Sequence, residues 1–237
     1  MTTPIHILCA GAAKGLVQAL QAEFEAAHDV KIEARYGAVG ALKEALVAGA
    51  PCDLMVVTAS MVNELSAAGW LLADRTAALG RVRTGMAVRA GAVAREATPD
   101  VSTPDALKAA LLAATGIYFP DPARATAGIH FAEVMRQLGI HDQVAQQFRT
   151  FPNGATAMHE LATSTQAGLI GCTQITEINY TPGVSLLGAL PDRFELATLY
   201  SGAVGAKSIQ PVLALALLKL LSGDASKALR LAGGFEF

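Results

Sequence analysis

Four stretches of this sequence lead into a helical pattern through glycine or other small residues: Ala10 to Gly15, Gly37 to Gly40, Ala125 to Gly128 and Asn153 to Ala155. The first amides of a helix have no intrahelical acceptor, and the helix dipole favours negative charge at that end. Where side chains are small, a ligand can approach the backbone closely, so each stretch is a potential anion cradle. Gly11, Ala12, Ala38, Val39, Ala127, Gly154 and Ala155 would supply the amides. In any single loop the glycine can instead serve turn geometry alone. Taken together, the four predict that two helix starts from each half of the chain clamp one small anion.

Proton transfer has a candidate base in His130, one turn after Thr126. There the dipole disfavours imidazolium and keeps the ring neutral and able to accept a proton. The alternative is a ring packed beside Phe131 or facing solvent. Thr126 reads as an N-cap whose hydroxyl can also face a ligand. Arg124, in the same turn, and Arg83 are candidate carboxylate grips or solvated arginines. Thr173, Gln174 and Glu177 follow the strand Ala167 to Cys172, at the strand end where open α/β sheets gather ligands. Glu177 is either the acid of a proton transfer or a surface carboxylate. Tyr36 ends a strand and can donate its phenol or pack, and Lys14 adds positive potential. His6, His28, His141 and His159 show no partner pattern and receive no role.

The elements that position these residues follow from periodicity. Ile5 to Leu8 is a strand, Gly11 to Gly15 turns into a helix with Leu16, Leu20 and Phe24 on one face, Val30 to Tyr36 alternates as a strand, and Ala41 to Ala48 is helical. The apolar run Asp53 to Thr58 fits a strand buried on both faces, followed by a helix over Ser60 to Ala68. A strand over Thr84 to Val88 opens a second half, with helix starts suited to Ser102 and Asp105. Beyond them come strand Gly116 to Phe119, helix Thr126 to Leu138, strand Gln147 to Phe151, helix Ala155 to Ala162 and strand Ala167 to Cys172. Leu196 to Ser201 then returns the chain, and helices Pro211 to Leu221 and Ala225 to Ala232 end it. The expectation is an α/β protein of two lobes joined by two crossovers with a ligand cleft between them, residues 1–82 with 202–237 forming lobe I and 83–201 lobe II.

Composition narrows the function. With 52% hydrophobic and 16% charged residues the 237-residue chain is of the folded globular class. Its 18 Lys+Arg against 20 Asp+Glu give a net charge of −2, which leaves no basic excess for nucleic acid or an anionic membrane. The longest apolar run, Val212 to Leu221, is about half a membrane span and contains Lys219. Met1 to Pro4 carry no basic side chain, and Ile5 to Ala13 contain His6 and run into Lys14, so no leader is expected and the chain reads as cytoplasmic, or periplasmic if a leader has been removed. Bulky Leu8 argues against Cys9 as a lipid anchor. Cys9, Cys52 and Cys172 lack metal-ligand spacing and read as buried free thiols. Neither a metal nor a cofactor is expected, and no phosphate loop or nucleophile elbow is present in the sequence.

Four segments carry a resemblance: ILCAGA at Ile7 to Ala12, GAVGALKEALVAGAPCDLMVVTAS at Gly37 to Ser60, AGIHFAEVMRQLGI at Ala127 to Ile140 and GLIGCTQITEI at Gly168 to Ile178. Over nearly the whole chain the sequence resembles the type II periplasmic binding protein fold and, within it, the molybdate-binding proteins of ABC transport systems. Members of that family usually place serines in the first two loops, where this chain has Gly11-Ala12 and Ala38-Val39. The aromatic hydroxyl usual in the last motif is missing around Gly171 and Cys172, and the Thr-Asp that follows is Thr173-Gln174. A pocket without those hydroxyls suits a larger anion such as a carboxylate. Gly128 to Phe131 and Gln174 to Ile178 are similar to a branch typified by aconitate isomerase. The resemblance implies an isomerase of a small unsaturated polycarboxylate, aconitate-like, acting by proton transfer in the interlobe cleft. The alternative it implies is a solute-binding protein for a small anion, an oxyanion or a carboxylate, which would meet a transporter permease only if exported.

Overall fold

A computed structural model describes residues 3–91 and 98–237. The chain divides into two compact units, Met1–Val82 with Thr198–Phe237, and Arg83–Ala197.

In the first unit, β1 (Ile5–Ala10), α1 (Gly11–His28), β2 (Ile32–Gly37), α2 (Val39–Val47), β3 (Leu54–Thr58) and α3 (Ala59–Ala67) alternate. β1 pairs in parallel with β2 and β3, with Cys9 opposite Tyr36 and Ala10 opposite Gly37. Every residue of β3 is buried, as an apolar run covered on both faces requires. β3 also pairs antiparallel with β9 (Ala197–Gly205), which sets Thr58 against Tyr200. The helices α8 (Pro211–Ser222) and α9 (Lys227–Gly233) close this unit. Arg230 fastens the end of the chain: its guanidinium, 3% exposed, donates to the carbonyls of Leu79, Ser222 and Gly223.

The chain enters the second unit within β4 (Leu71–Arg89). After α4 (Pro104–Ala113) come β5 (Gly116–Pro120), α5 (Thr126–Gln137), β6 (Phe148–Phe151), α6 (Gly154–Thr163), β7 (Leu169–Gln174), α7 (Ile175–Asn179) and β8 (Val184–Ala189). β5 pairs in parallel with β6 and β7, while β4 runs antiparallel to β7 and β8. Successive side chains of a strand point to opposite faces, and two cores result. Met86, Val88, Ile117 and Phe119 pack with Leu107, Leu111, Phe131 and Met135 on one face, whereas Ala87 and Tyr118 pack with Ala157, Met158 and Leu161 on the other.

Local details depart from expectation. Strand β4 begins at Leu71 rather than Thr84, through a stretch whose irregular exposure hides its pleat. Helix α4 is capped by Thr103, whose hydroxyl accepts from the Ala106 amide at 3.1 Å, rather than by Ser102 or Asp105. Helix α9 starts at Lys227 after a single 3-10 turn over Asp224–Ser226. Among the described residues no helix is long and apolar enough to cross a membrane.

Candidate functional site

Because β1 and β2 end level, α1 and α2 start side by side in the first unit. Their N-caps, Ala10 and Ala38, make no side-chain capping bond. The amides of Gly11, Ala12, Val39 and Gly40 thus lie in the first turns of two helices whose dipoles emerge at adjoining strand ends. Tyr36, two residues before Ala38, keeps its hydroxyl buried with no hydrogen-bond partner among the described residues. Burial foremost, and the neighbouring Cys9 thiol second, push that phenol's pKa up, so it stays a donor. Lys14 sets its ammonium 5.6 Å from the centre of the Tyr36 ring. Gly11, Ala12, Lys14, Tyr36, Ala38 and Val39 therefore belong to one end of this unit. Thr58 and Ser60, which sequence reasoning passed over, share it: their hydroxyls are 3.1 Å apart and Thr58 caps α3.

In the second unit the carboxyl ends of β5, β6 and β7 also point one way, and α5, α6 and α7 start there. Helix α5 is capped by Ala125, not Thr126, and makes no side-chain capping bond. Thr126 is its first helical residue, so its hydroxyl is not the cap expected of it. A Cβ on Gly128 would overlap the carbonyls of Pro120 and Asp121, so only glycine lets α5 sit this close to the end of β5. Arg124 is exposed in the preceding turn, and Arg83 is half-buried at the entry of the unit.

His130 is half-buried and its Nε2 lies 2.8 Å from the Phe194 carbonyl. A carbonyl only accepts, so Nε2 carries a proton and donates, and the lone pair of the neutral ring is on Nδ1. His130 is thus a ring held by a carbonyl distant in sequence.

The fourth cradle is already filled. Asn153 caps α6 by accepting from the Thr156 amide at 2.9 Å. The Ala155 amide donates to Oε1 of Glu177 at 3.2 Å, and Oε2 of the same carboxylate accepts from the Thr173 hydroxyl. Glu177 is 7% exposed, and a Cβ on Gly154 would overlap both it and Thr173. The expectation that Ala155 offers its amide to a ligand is corrected, because that amide has an internal anion. Glu177 is not a surface carboxylate, and both of its oxygens accept bonds from its own unit. Thr173 is likewise spent on Glu177.

Gln174 stands differently. It is 2% exposed, and neither Nε2 nor Oε1 has a partner among the described residues. Opposite it across the antiparallel pair stands Thr84, 1% exposed, whose hydroxyl is also unpartnered, as is that of fully buried Thr176. Thr84 and Thr176 gave no signal in the sequence, since threonine in a strand or at a helix start is ordinary.

The Gly49 to Asp53 turn, GAPCD, within the second of the four segments that carry the resemblance, has a structural task. Asp53, 1% exposed, accepts from the amides of His6, Ile209 and Gln210 at 2.8, 2.9 and 3.1 Å, and from the Ser208 hydroxyl at 2.7 Å. Burial alone would raise its pKa; those donors outweigh burial and hold it below the ordinary carboxylate range. Among the described residues no group of His, Cys, Asp and Glu gathers as a metal site.

Two α/β units, in which α1, α2 and α5 start without a side-chain cap at strand carboxyl ends, have the architecture of a type II periplasmic binding protein. The chain belongs to the bacterial extracellular solute-binding protein family, whose model matches residues 5–236. It is 30% identical to an aconitate isomerase from Pseudomonas sp. over 98% of this chain and 87% of that enzyme. Among solved structures it is similar to the periplasmic molybdate-binding protein of Azotobacter vinelandii, with a TM-score of 0.79 at 15% identity over 98% of this chain and 99% of that one. The sulfate-binding protein of Mycobacterium tuberculosis gives a TM-score of 0.68 at 18% identity, over 99% and 86%. At those identities the two structures speak for the fold.

Proposed function

We propose that the protein is an isomerase of a small unsaturated polycarboxylate, aconitate-like, that works by proton transfer. The observation that carries this reading is the second unit's strand end, where uncapped α5 bears His130 with its tautomer fixed and the Gln174 amide lies unpartnered. The 30% identity to aconitate isomerase across almost the whole chain supports it.

The reaction moves a double bond along a three-carbon unit and transfers no net electrons. A base removes a proton from the carbon beside a carboxyl group, and the electron pair delocalises toward the carboxyl and the existing double bond. A proton then returns at the far carbon. Nδ1 of His130 is the base, held by the Nε2–H bond to Phe194 as an orienting group holds a catalytic imidazole. The resulting imidazolium returns the proton, since Glu177 is engaged by Ala155 and Thr173. The amides of Thr126 and Ala127 and the α5 dipole face the enolate-like charge. Arg124 and Arg83 are proposed to hold further carboxylates; in the first unit the α1 and α2 amides with Tyr36 and Lys14 are proposed anion-binding groups in their own right.

The second reading, a binding protein that delivers a small anion to an ABC transporter, is supported by the family match over residues 5–236 and the likeness to the molybdate binder. It requires export, whereas the isomerase reading places the chain in the cytoplasm. Purified protein incubated with cis- or trans-aconitate and followed by ultraviolet absorbance separates them: turnover supports the isomerase, and tight binding of an oxyanion without chemical change supports the transporter component.

A further inference from the structure

Gln174 and Thr84 are cross-strand partners, and residues directly opposite in an antiparallel pair present their side chains to the same face. Their side chains bring two amide N–H donors, one hydroxyl donor and the amide acceptor Oε1 into a buried position, and none has a partner among the described residues. The backbone of Thr84 is spent already, its amide on Leu196 and its carbonyl on Leu190, each at 3.0 Å. Only side-chain capacity remains. Leaving such groups buried and unpaired destabilises a fold, so they call for a partner, water or ligand, and here four such atoms are gathered at one cross-strand pair.

A fully ionised tetrahedral oxyanion is a poor guest. It satisfies the three donors but leaves Oε1 facing negative charge. A carboxyl group that carries its proton is the complement of a primary carboxamide: its O–H donates to Oε1 while its carbonyl accepts from Nε2. Polybasic organic acids hold their last proton close to neutrality, whereas sulfate and molybdate do not. We propose that the Thr84–Gln174 pair is a specificity-determining subsite that receives one carboxyl group of an organic polyacid and rejects fully ionised oxyanions. Thr176, two residues on, adds a second unpartnered hydroxyl to the same strand end. The inference rests on the carboxylate ligand of the proposed function but not on catalysis.

Calorimetric titration with propane-1,2,3-tricarboxylate, which has no double bond to move, and separately with molybdate, tests it. In wild type the tricarboxylate should bind at least about tenfold more tightly than molybdate, a ratio typical of a site whose polar groups go unpaired with the wrong guest. Gln174→Leu and Thr84→Val should each weaken the tricarboxylate by about tenfold or more and change molybdate by less than about twofold. Both variants should melt no lower than wild type without ligand, because each removes an unpaired buried group. Tricarboxylate affinity unchanged in both variants overturns the inference, as does equal loss of both probes. A lower melting temperature in both also overturns it, since the polar atoms would then be structural. Selective binding without turnover of aconitate leaves this subsite standing and ends the isomerase reading; a wild type that binds neither probe ends both.

Discussion

Glu177 sets Oε1 3.2 Å from the amide nitrogen of Ala155, so helix α6 carries a resident anion from its own unit. Among the described residues, helices α1, α2 and α5 show no side-chain cap at their starts. One of four similar sequence stretches is therefore a structural joint, and three remain as candidate cradles.

Replacing that anion should cost stability rather than activity. Glu177→Gln keeps the shape but loses the charge at the helix start, with an expected loss of about 1–3 kcal/mol in urea unfolding. Gly154→Ala, whose Cβ would overlap Thr173 and Glu177, should lose a similar or larger amount. Turnover within a few-fold of wild type is expected for Glu177→Gln. Lost turnover at unchanged stability would instead place Glu177 in the chemistry.

Capping an open helix should do the reverse. Aspartate is a favoured N-cap, so Ala38→Asp in the first unit and Ala125→Asp in the second should each raise stability by up to about 1 kcal/mol. Each also puts a negative charge where the proposed ligand carries its own, and tricarboxylate affinity should fall at least about tenfold. Unchanged affinity in a variant would remove that helix start from the binding surface.

Asp53 makes stability depend on pH. Its folded pKa is depressed because four donors outweigh the effect of burial. The stabilisation is then fully present above the unfolded carboxylate value, near about 4, and is lost as pH falls through the lower folded value. Urea midpoints measured from pH 7 downward should drop over the acid range. Asp53→Asn should lower the plateau by about 2 kcal/mol and flatten that part of the acid slope.

The cysteines should be slow to react. Cys9 and Cys172 are buried with their thiols pushed well up by burial, and burial pushes Cys52 to about 12. Thiolate is the reactive form, so native protein near pH 8 should resist an aromatic disulfide reagent on a timescale that labels all three in denaturant. Cys52 is only half-buried, unlike the buried thiol expected of it, so it should be the first of the three to react, and rapid labelling of Cys9 or Cys172 in the folded state would contradict their burial.

What could be read from the sequence was whatever its neighbours decide. The runs Leu54–Thr58 and Leu169–Gln174 are mostly apolar and buried from end to end, and their apolar parts read as strands. Helix α1 shows its face through Leu16, Leu20 and Phe24, all buried. The first part of β4 and the whole of β8 were missed, because their mixed exposure follows no period. At the site, the uncapped starts of α1, α2 and α5 were legible as small residues before a helical pattern. The filling of α6 was not, since nothing near Ala155 signals a carboxylate supplied from Glu177. The same holds for the Phe194 carbonyl that orients His130, and for the pairing of Thr84 with Gln174: each contact is made by tertiary packing between segments far apart in the chain.

The central claim, that this binding-protein scaffold moves a proton on a bound polycarboxylate, is tested most directly by proton NMR of cis-aconitate incubated with the protein in deuterated buffer. The trans isomer should accumulate at a rate proportional to protein concentration, with at least about a hundredfold slower conversion in His130→Ala, the scale expected for loss of a general base. Spectra in which aconitate binds yet stays the cis isomer over many hours, or conversion unaffected by His130→Ala, would contradict it.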